Sequence, residues 1–300
     1  MMTGGWSAKA VRRTVEGYLY LLPVFLILGL VVALPLFETL RLSFHEVYLL
    51  KGLGKETFIG LQNYFKFFQH PNASVFALNT LIYVSGGVTG TFLAGLGLAL
   101  LLSQRLFLRS FWRGLALVPW AMPITVTAMI WKWVLDGQWG ILNYVLSRLG
   151  LVDNYVSWLS SGTWLWPAIL AVDVWALTPF MFVNFLSALQ SIPRELYEAA
   201  RIDGAGPWIT FWRITLPMLR PVIMTVLLIS VILHLREFAI IWILTSGGPG
   251  VSSTTLSPLV YIESFRYFRM GYGAAIGIIL MSGSLLFTWF YLRRLRVEPY

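Results

Sequence analysis

Two of the long apolar runs of this chain carry ionisable side chains well inside them: Asp173 in one, and His234, Arg236 and Glu237 in another. Charge in hydrocarbon is expensive, so such residues either pair with one another or line a polar path. His234 and Glu237, at i and i+3, share a helix face, and Arg236 points roughly 100° away from Glu237. At about 1.5 Å per residue, Asp173 sits roughly 5–6 Å to one side of its run's middle and Arg236 roughly 4–5 Å. The depths match if the two runs are antiparallel neighbours. Two roles fit. One is a buried Asp173–Arg236 ion pair that fixes helix packing. The other is the lining of a small-molecule cavity with Trp175, Asn184, Phe238 and Trp242, in which aromatic faces stack on rings and polar groups bind hydroxyls. Catalysis has no comparable set. There is no cysteine, and His45, His70 and His234 lack metal-ligand spacing, so no metal site is expected. No G-x-x-x-x-G-K-[ST] run exists to cradle a nucleotide.

The elements that carry these residues are membrane helices. The 300 residues are 58% hydrophobic and only 12% charged, with a mean hydropathy of +0.74, far from a soluble domain's usual composition. Six runs reach the ~20 residues needed to span a bilayer core, near 18–40, 75–103, 114–133, 164–189, 222–245 and 272–292. Such spans must be helical to pair their backbone groups internally. The third is the shortest and holds Pro119 and Pro123, which predicts a kink. The first follows a basic segment as a secretory signal does, but it is long, contains Pro23 and Pro35 and lacks a small-residue cleavage site, so it reads as a retained span.

With both termini cytoplasmic, the inner segments hold thirteen of the 22 Lys+Arg residues, among them Lys9, Arg12, Arg13, Arg105 and Arg296, against five acids including Glu298. That is +8 of the overall +9, the asymmetry expected from membrane orientation. No nucleic-acid surface is visible.

Between the fourth and fifth runs lies a charged stretch, residues 191–217. Pro193 opens a helix, Glu195 and Glu198 favour its positive end, and Gly204 is placed to end it with φ > 0. Gly206-Pro207 starts a second short helix, which Pro217 is expected to stop. Ala199 and Ala200 allow close approach by a partner, Glu198 is placed to contact it, and Phe211, Trp212, Ile214 and Leu216 are expected to seat the hairpin on the membrane helices.

Glu198-Ala199-Ala200-Arg201-Ile202-Asp203-Gly204-Ala205, with Ile214-Thr215-Leu216-Pro217 after it, resembles the EAA loop of binding-protein-dependent ABC importers at each position of that pattern. The resemblance extends along most of the chain: Phe58-Ile59-Gly60-Leu61-Gln62-Asn63-Tyr64, Leu117-Val118-Pro119-Trp120, Trp131-Lys132-Trp133, Gly140-Ile141-Leu142-Asn143, Leu189-Gln190-Ser191-Ile192-Pro193 and Thr245-Ser246-Gly247-Gly248-Pro249-Gly250 are similar to the sugar-type permeases. It implies an all-α integral membrane protein of six transmembrane helices with the type I importer permease fold, as one domain in the cytoplasmic membrane. It also implies a second related permease, two cytoplasmic ABC ATPases and an extracytoplasmic solute-binding protein. ATP and magnesium would then sit on the ATPase partner, with no cofactor on this chain and no enzymatic activity of its own. Glu198, Ala199, Ala200, Asp203, Gly204, Ile214, Leu216 and Pro217 become the residues of ATPase coupling. Gly247, Gly248 and Pro249, with the loops 41–74 and 135–163, are expected to face the binding protein.

One segment departs from the family. Where sugar permeases often carry N-x-F-D, aligned through Gly-Gly-Pro, this chain has Arg236-Glu237-Phe238-Ala239. An arginine there suits a carboxylated or phosphorylated solute, or it neutralises Asp173 or Glu237. The expected function is import of a sugar or oligosaccharide. The alternatives are an anionic polyol such as glycerol phosphate or, in a different class, a secondary transporter or channel.

Overall fold

A computed structural model describes residues 8–51, 56–104 and 106–296, with the side chains of 8–15, 17, 51, 295 and 296 excepted. Arg105, Glu298 and the side chains of Lys9, Arg12, Arg13 and Arg296 thus lie outside the described residues.

In chain order the elements begin with α1 (Ala8–Leu28) and α2 (Leu34–Ser43), joined by a π turn at Gly29–Ala33. Strands β1 (His45–Glu46) and β2 (Thr57–Phe58) follow, then α3 (Gln62–Phe68), α4 (Ala73–Ser103), α5 (Arg109–Ala116), α6 (Val118–Ala121) and α7 (Ile124–Val134). Next come α8 (Ile141–Arg148), α9 (Leu165–Ser191), α10 (Arg194–Ile202) and α11 (Pro207–Thr210). A π turn at Phe211–Thr215 runs into α12 (Leu216–Leu235), and α13 (Ala239–Thr245), α14 (Leu256–Tyr261) and α15 (Met270–Arg296) complete the chain.

Among the described residues five helices are long and apolar enough to cross a membrane: Tyr18–Ser43, Ala73–Ser103, Leu165–Ser191, Pro207–Leu235 and Met270–Arg294. The pair Arg109–Ala121 and Ile124–Val134 is a sixth if counted as one span, and its two arms meet at 96°. The kink expected of the third span is therefore a full corner. Met122 and Pro123 take extended backbone there, because a residue before proline is pushed out of the helical region.

The fifth span needs two corrections. Pro217 does not stop the hairpin's second helix, which continues through the π turn into α12. Proline crowds the carbonyl four residues back and donates no N–H; here that carbonyl belongs to Arg213, inside the π turn, where the ladder is already re-spaced. Pro35 relates to Val31 and the first π turn in the same way. At its other end the span does not run on to Thr245. It breaks over Arg236–Phe238 and resumes as α13.

The chain forms two compact units. One holds α1 to α3 and Ile262–Ile279. In it, β1 and β2 pair antiparallel with His45 opposite Phe58. The buried Asn63 amide donates to the Ser43 and His45 carbonyls at 3.0 Å each, and the Ser43 and Tyr64 hydroxyls meet at 2.7 Å. Asn63 and Tyr64 thus anchor the chain as it leaves α2. Between Tyr18 and Ser43, Ser43 alone is buried, so the first span keeps its apolar surface for lipid or another subunit.

The other unit spans Gln69–Tyr261 and resumes at Leu280. Its centre is the packing of α4 on α9. A Cβ added at Gly86, Gly90 or Gly95 would run into Leu170, Val174 or Met181, the small-residue contact that lets membrane helices approach closely. Two apolar clusters stack along α9, one around Ile169, Val172 and Ile240, the other around Phe182, Phe185 and Leu219. Asp173 lies on α9 within the first cluster, between Val172 and Ala176.

Candidate functional site

The polar centre sits where α4, α9 and α12 meet. Asp173 Oδ2 is 3.0 Å from His234 Nε2, and the Tyr83 hydroxyl donates to Asp173 Oδ1 at 2.5 Å. His234 Nδ1 is 2.7 Å from the Ser230 carbonyl. A carbonyl only accepts, so Nδ1 carries a hydrogen. One further proton then lies between Nε2 and Oδ2. On the ring it makes an imidazolium–carboxylate pair; on the carboxyl it leaves both groups neutral. Either way the set has no net charge and every polar atom is bonded, which meets the condition for burial. A Cβ at Gly87 would strike both the His234 ring and the Asp173 carboxylate, so only glycine lets α4 cover the pair.

This corrects the expected Asp173–Arg236 pairing. The sequence argument matched depth but not direction: His234 is two residues before Arg236, about 200° around the helix, and faces α9. The Arg236 guanidinium is exposed and makes no hydrogen bond or ion pair with a described residue. Its carbonyl accepts from the Ser257 hydroxyl at 3.3 Å. Glu237 folds back onto the break, its Oε1 accepting the Ile240 N–H at 3.1 Å. Asp173 and His234 are 0% and 2% exposed and offer no surface to a solute, whereas Trp175, Asn184, Phe238 and Trp242 keep part of theirs. Asn184 donates to the Phe180 carbonyl, one turn back, at 2.7 Å.

Beyond the break, Phe238 stacks on Trp242 with ring centres 5.6 Å apart and 18° between planes, and Tyr261 closes on both at 5.0 and 4.8 Å. The exposed Arg236 therefore sits beside a three-ring aromatic cluster. Sequence reasoning missed Tyr261, Tyr83 and Gly87. The last two had a signal, since Asn79, Tyr83, Gly87 and Thr91 recur every fourth residue and all are buried.

At the other end of this unit, α10 closes as the sequence predicts. Gly204 has φ +73°, and the Ala205 N–H reaches the Ala200 carbonyl at 2.8 Å, the six-to-one bond of a Schellman end. The Tyr197 and Thr215 hydroxyls, 3.2 Å apart, tie the two arms together. Glu198, Ala199 and Asp203 are exposed, and Ile202 and Trp208 are 87% and 72% exposed. Ala200 is buried, so it serves the hairpin's own closure and only Ala199 of the pair faces outward. Phe211 and Leu216 pack on the apolar cluster around Phe185 and Ile214 is half-buried, whereas Trp212 and Pro217 are exposed.

In the Gly-Gly-Pro loop, Gly247 is buried against Thr254, whose hydroxyl donates to the Gly247 carbonyl at 2.8 Å, so Gly248 and Pro249 alone present surface. Asn79 of α4 holds this loop through the Val251 and Thr254 carbonyls at 3.0 and 3.1 Å. In the loop after α7, Asn143, fully buried, donates to the Asp136, Gly137 and Val156 carbonyls and accepts from the Val156 N–H and Trp158 Nε1.

The family model described as binding-protein-dependent transport system inner membrane component matches residues 86–293. A sulfoquinovosyl glycerol transport system permease protein of Agrobacterium fabrum, SmoG, is 36% identical over 280 residues, 93% of this chain and 90% of that protein. A trehalose/maltose transport system permease protein of Thermococcus litoralis, MalF, is 37% identical over 293 residues, 96% of each. Among solved structures, a chain of a bacterial ABC transporter involved in import of the acidic polysaccharide alginate superposes with a TM-score of 0.83 at 24% identity, over 97% of this chain and 99% of that one. At that identity the likeness speaks for the fold.

Proposed function

This chain belongs to the family of binding-protein-dependent transport system inner membrane components, and from that premise we propose that it forms one half of the pore of an ATP-driven sugar importer. A second, related permease supplies the other half. A soluble protein delivers the sugar outside, and two ATPase subunits close on ATP and magnesium inside. Both termini and the α10 hairpin face the cytoplasm, the side on which membrane proteins concentrate their basic residues. The chain binds no nucleotide and carries out no chemistry itself.

The observation that carries this reading is the hairpin. Ile202 is 87% exposed at the end of α10, an apolar side chain held rigidly in water beside Glu198 and Ala199. A surface of that kind is made to be covered, and the coupling ATPase is the partner the family supplies. The substrate class rests on the names of the relatives and on the Phe238–Trp242–Tyr261 cluster, which suits the apolar face of a sugar ring. A second reading, an acidic sugar, rests on Arg236 beside that cluster, exposed and without a side-chain partner among the described residues. Proteoliposomes containing this chain, the second permease, the ATPase and the binding protein test it. Maltose or an oligogalacturonate is expected to enter only with ATP, and vanadate is expected to stop it. Uptake by this chain without the ATPase, driven by an ion gradient, would overturn the reading.

A further inference from the structure

A cavity of about 1090 Å³ lies between the ends of α4 and α9, α5 and α10. Among the described residues four arginines line it, Arg109 and Arg113 from α5 and Arg194 and Arg201 from α10, against a single acid, Glu198. Arg113 is engaged: its Nε and Nη2 donate to the Leu102 carbonyl at 3.2 and 2.7 Å, closing the end of α4. Arg109, Arg194 and Arg201 are exposed and form no hydrogen bond or ion pair with a described residue. Guanidinium groups converging on one hollow repel each other until an anion joins them. All four basic residues are arginine, whose planar fork matches the oxygens of a phosphate, where lysine would offer only a point charge. The lining also includes Leu100 and Leu189, from the last turns of two membrane spans. The cavity thus pairs a cationic floor with a hydrocarbon-compatible wall at the level where a span meets water.

We propose that this cavity binds a phosphate-bearing anion, supplied by the headgroup of an anionic phospholipid, and that the bound phosphate bridges α5 to the coupling helix α10. Basic pockets between spans on the cytoplasmic side hold such headgroups. A phosphate shared by Arg109 and Arg194 fixes the hairpin to α5 from outside the hairpin itself. The proposal rests on the membrane-inserted reading above but requires neither the ATPase nor a given sugar.

The test uses the assembled transporter in detergent, where the result does not depend on which way the chain faces, so a failure of the topology reads separately. By native mass spectrometry the wild-type complex is expected to retain phosphatidylglycerol in preference to phosphatidylcholine, and Arg109→Gln with Arg194→Gln to lower that retention about tenfold or more. Inorganic phosphate, followed by 31P line broadening, separates the sources. Broadening by the wild type and not the double variant, without lipid retention, supports the phosphate site and assigns it to a soluble anion. Equal retention of both lipids by the wild type together with no broadening overturns the proposal, and this arm needs no variant to fold. Retention unchanged in the double variant overturns it as well.

Discussion

Asp173 and His234, on helices with no sequence neighbourhood in common, face each other at 3.0 Å and hold a single proton between them. Removing one partner leaves the other stranded in a dry site. His234→Ala is expected to cost about 3–5 kcal/mol, read as a drop in the melting temperature of the purified complex. His234→Gln combined with Asp173→Asn, which keeps donors and acceptors without charge, is expected to recover much of that loss. A His234→Ala complex as stable as wild type would show that the pair does not hold α9 to α12.

Arg236 is expected to behave in the opposite way. It is exposed and makes no bond to a described side chain, so Arg236→Gln is expected to leave assembly and melting temperature unchanged. If the solute is acidic, its uptake falls about tenfold or more, the worth of one charge-assisted bond, while a neutral sugar is spared. A loss of assembly in this variant would mean that the guanidinium has a structural partner after all.

Gly204 separates backbone strain from crowding. Nothing lies within 4 Å of a Cβ built there, while φ is +73°. Gly204→Val is therefore expected to fail through strain alone, by about 1–2 kcal/mol or more at the turn, with uncoupled ATPase activity and lost uptake in a protein that still inserts. Gly204→Asn, whose side chain tolerates this region, is expected to transport. Equal activity of the two variants would remove φ from the explanation.

Ile202→Ser tests the exposed end of α10. Burying an isoleucine side chain is worth about 1.5–3 kcal/mol, so the ATPase is expected to bind the variant permease about ten- to a hundredfold more weakly in titrations of the detergent-solubilised parts. Unchanged affinity would place the ATPase contact elsewhere on the hairpin.

Asp136 adds a pH dependence in the loop after α7. The Gln138 and Trp139 N–H groups donate to its Oδ1 at 2.9 and 2.8 Å and hold the carboxyl below the usual carboxylate range, chiefly through Trp139. A depressed value means that the bonds contribute fully above the unfolded value of about 3.9 and are lost as the pH falls through the lower folded one. Amide exchange at Gln138 and Trp139, corrected for intrinsic rate, is expected to stay flat from neutral pH to about pH 5. Asp136→Asn should raise it.

The hairpin was legible because its signals are local. Pro193, Gly204 and Gly206-Pro207 act through their own backbone preferences, and the structure places each turn where those preferences point. The polar centre was legible only in membership. Asp173 and His234 stand out as charge in an apolar run, but which residue faces which depends on the rotation of α9 and α12 about their axes, and depth along a helix says nothing about rotation. The break over Arg236–Phe238 carries neither proline nor glycine, so no local preference announces it. Its support is split: Ser257, 21 residues on, donates to the Arg236 carbonyl, and Glu237 within the break accepts the Ile240 N–H.

The continuity of Pro207–Leu235 has a mechanical consequence. Its 29 residues make a rod of roughly 43 Å, with the hairpin's second arm at one end and His234 and the break at the other. Pivoting such a rod by about 10° at its base sweeps the far end through about 7 Å, more than the spacing of one helical turn. A small rotation imposed at the hairpin therefore arrives at the aromatic cluster as a displacement on the scale of a sugar ring.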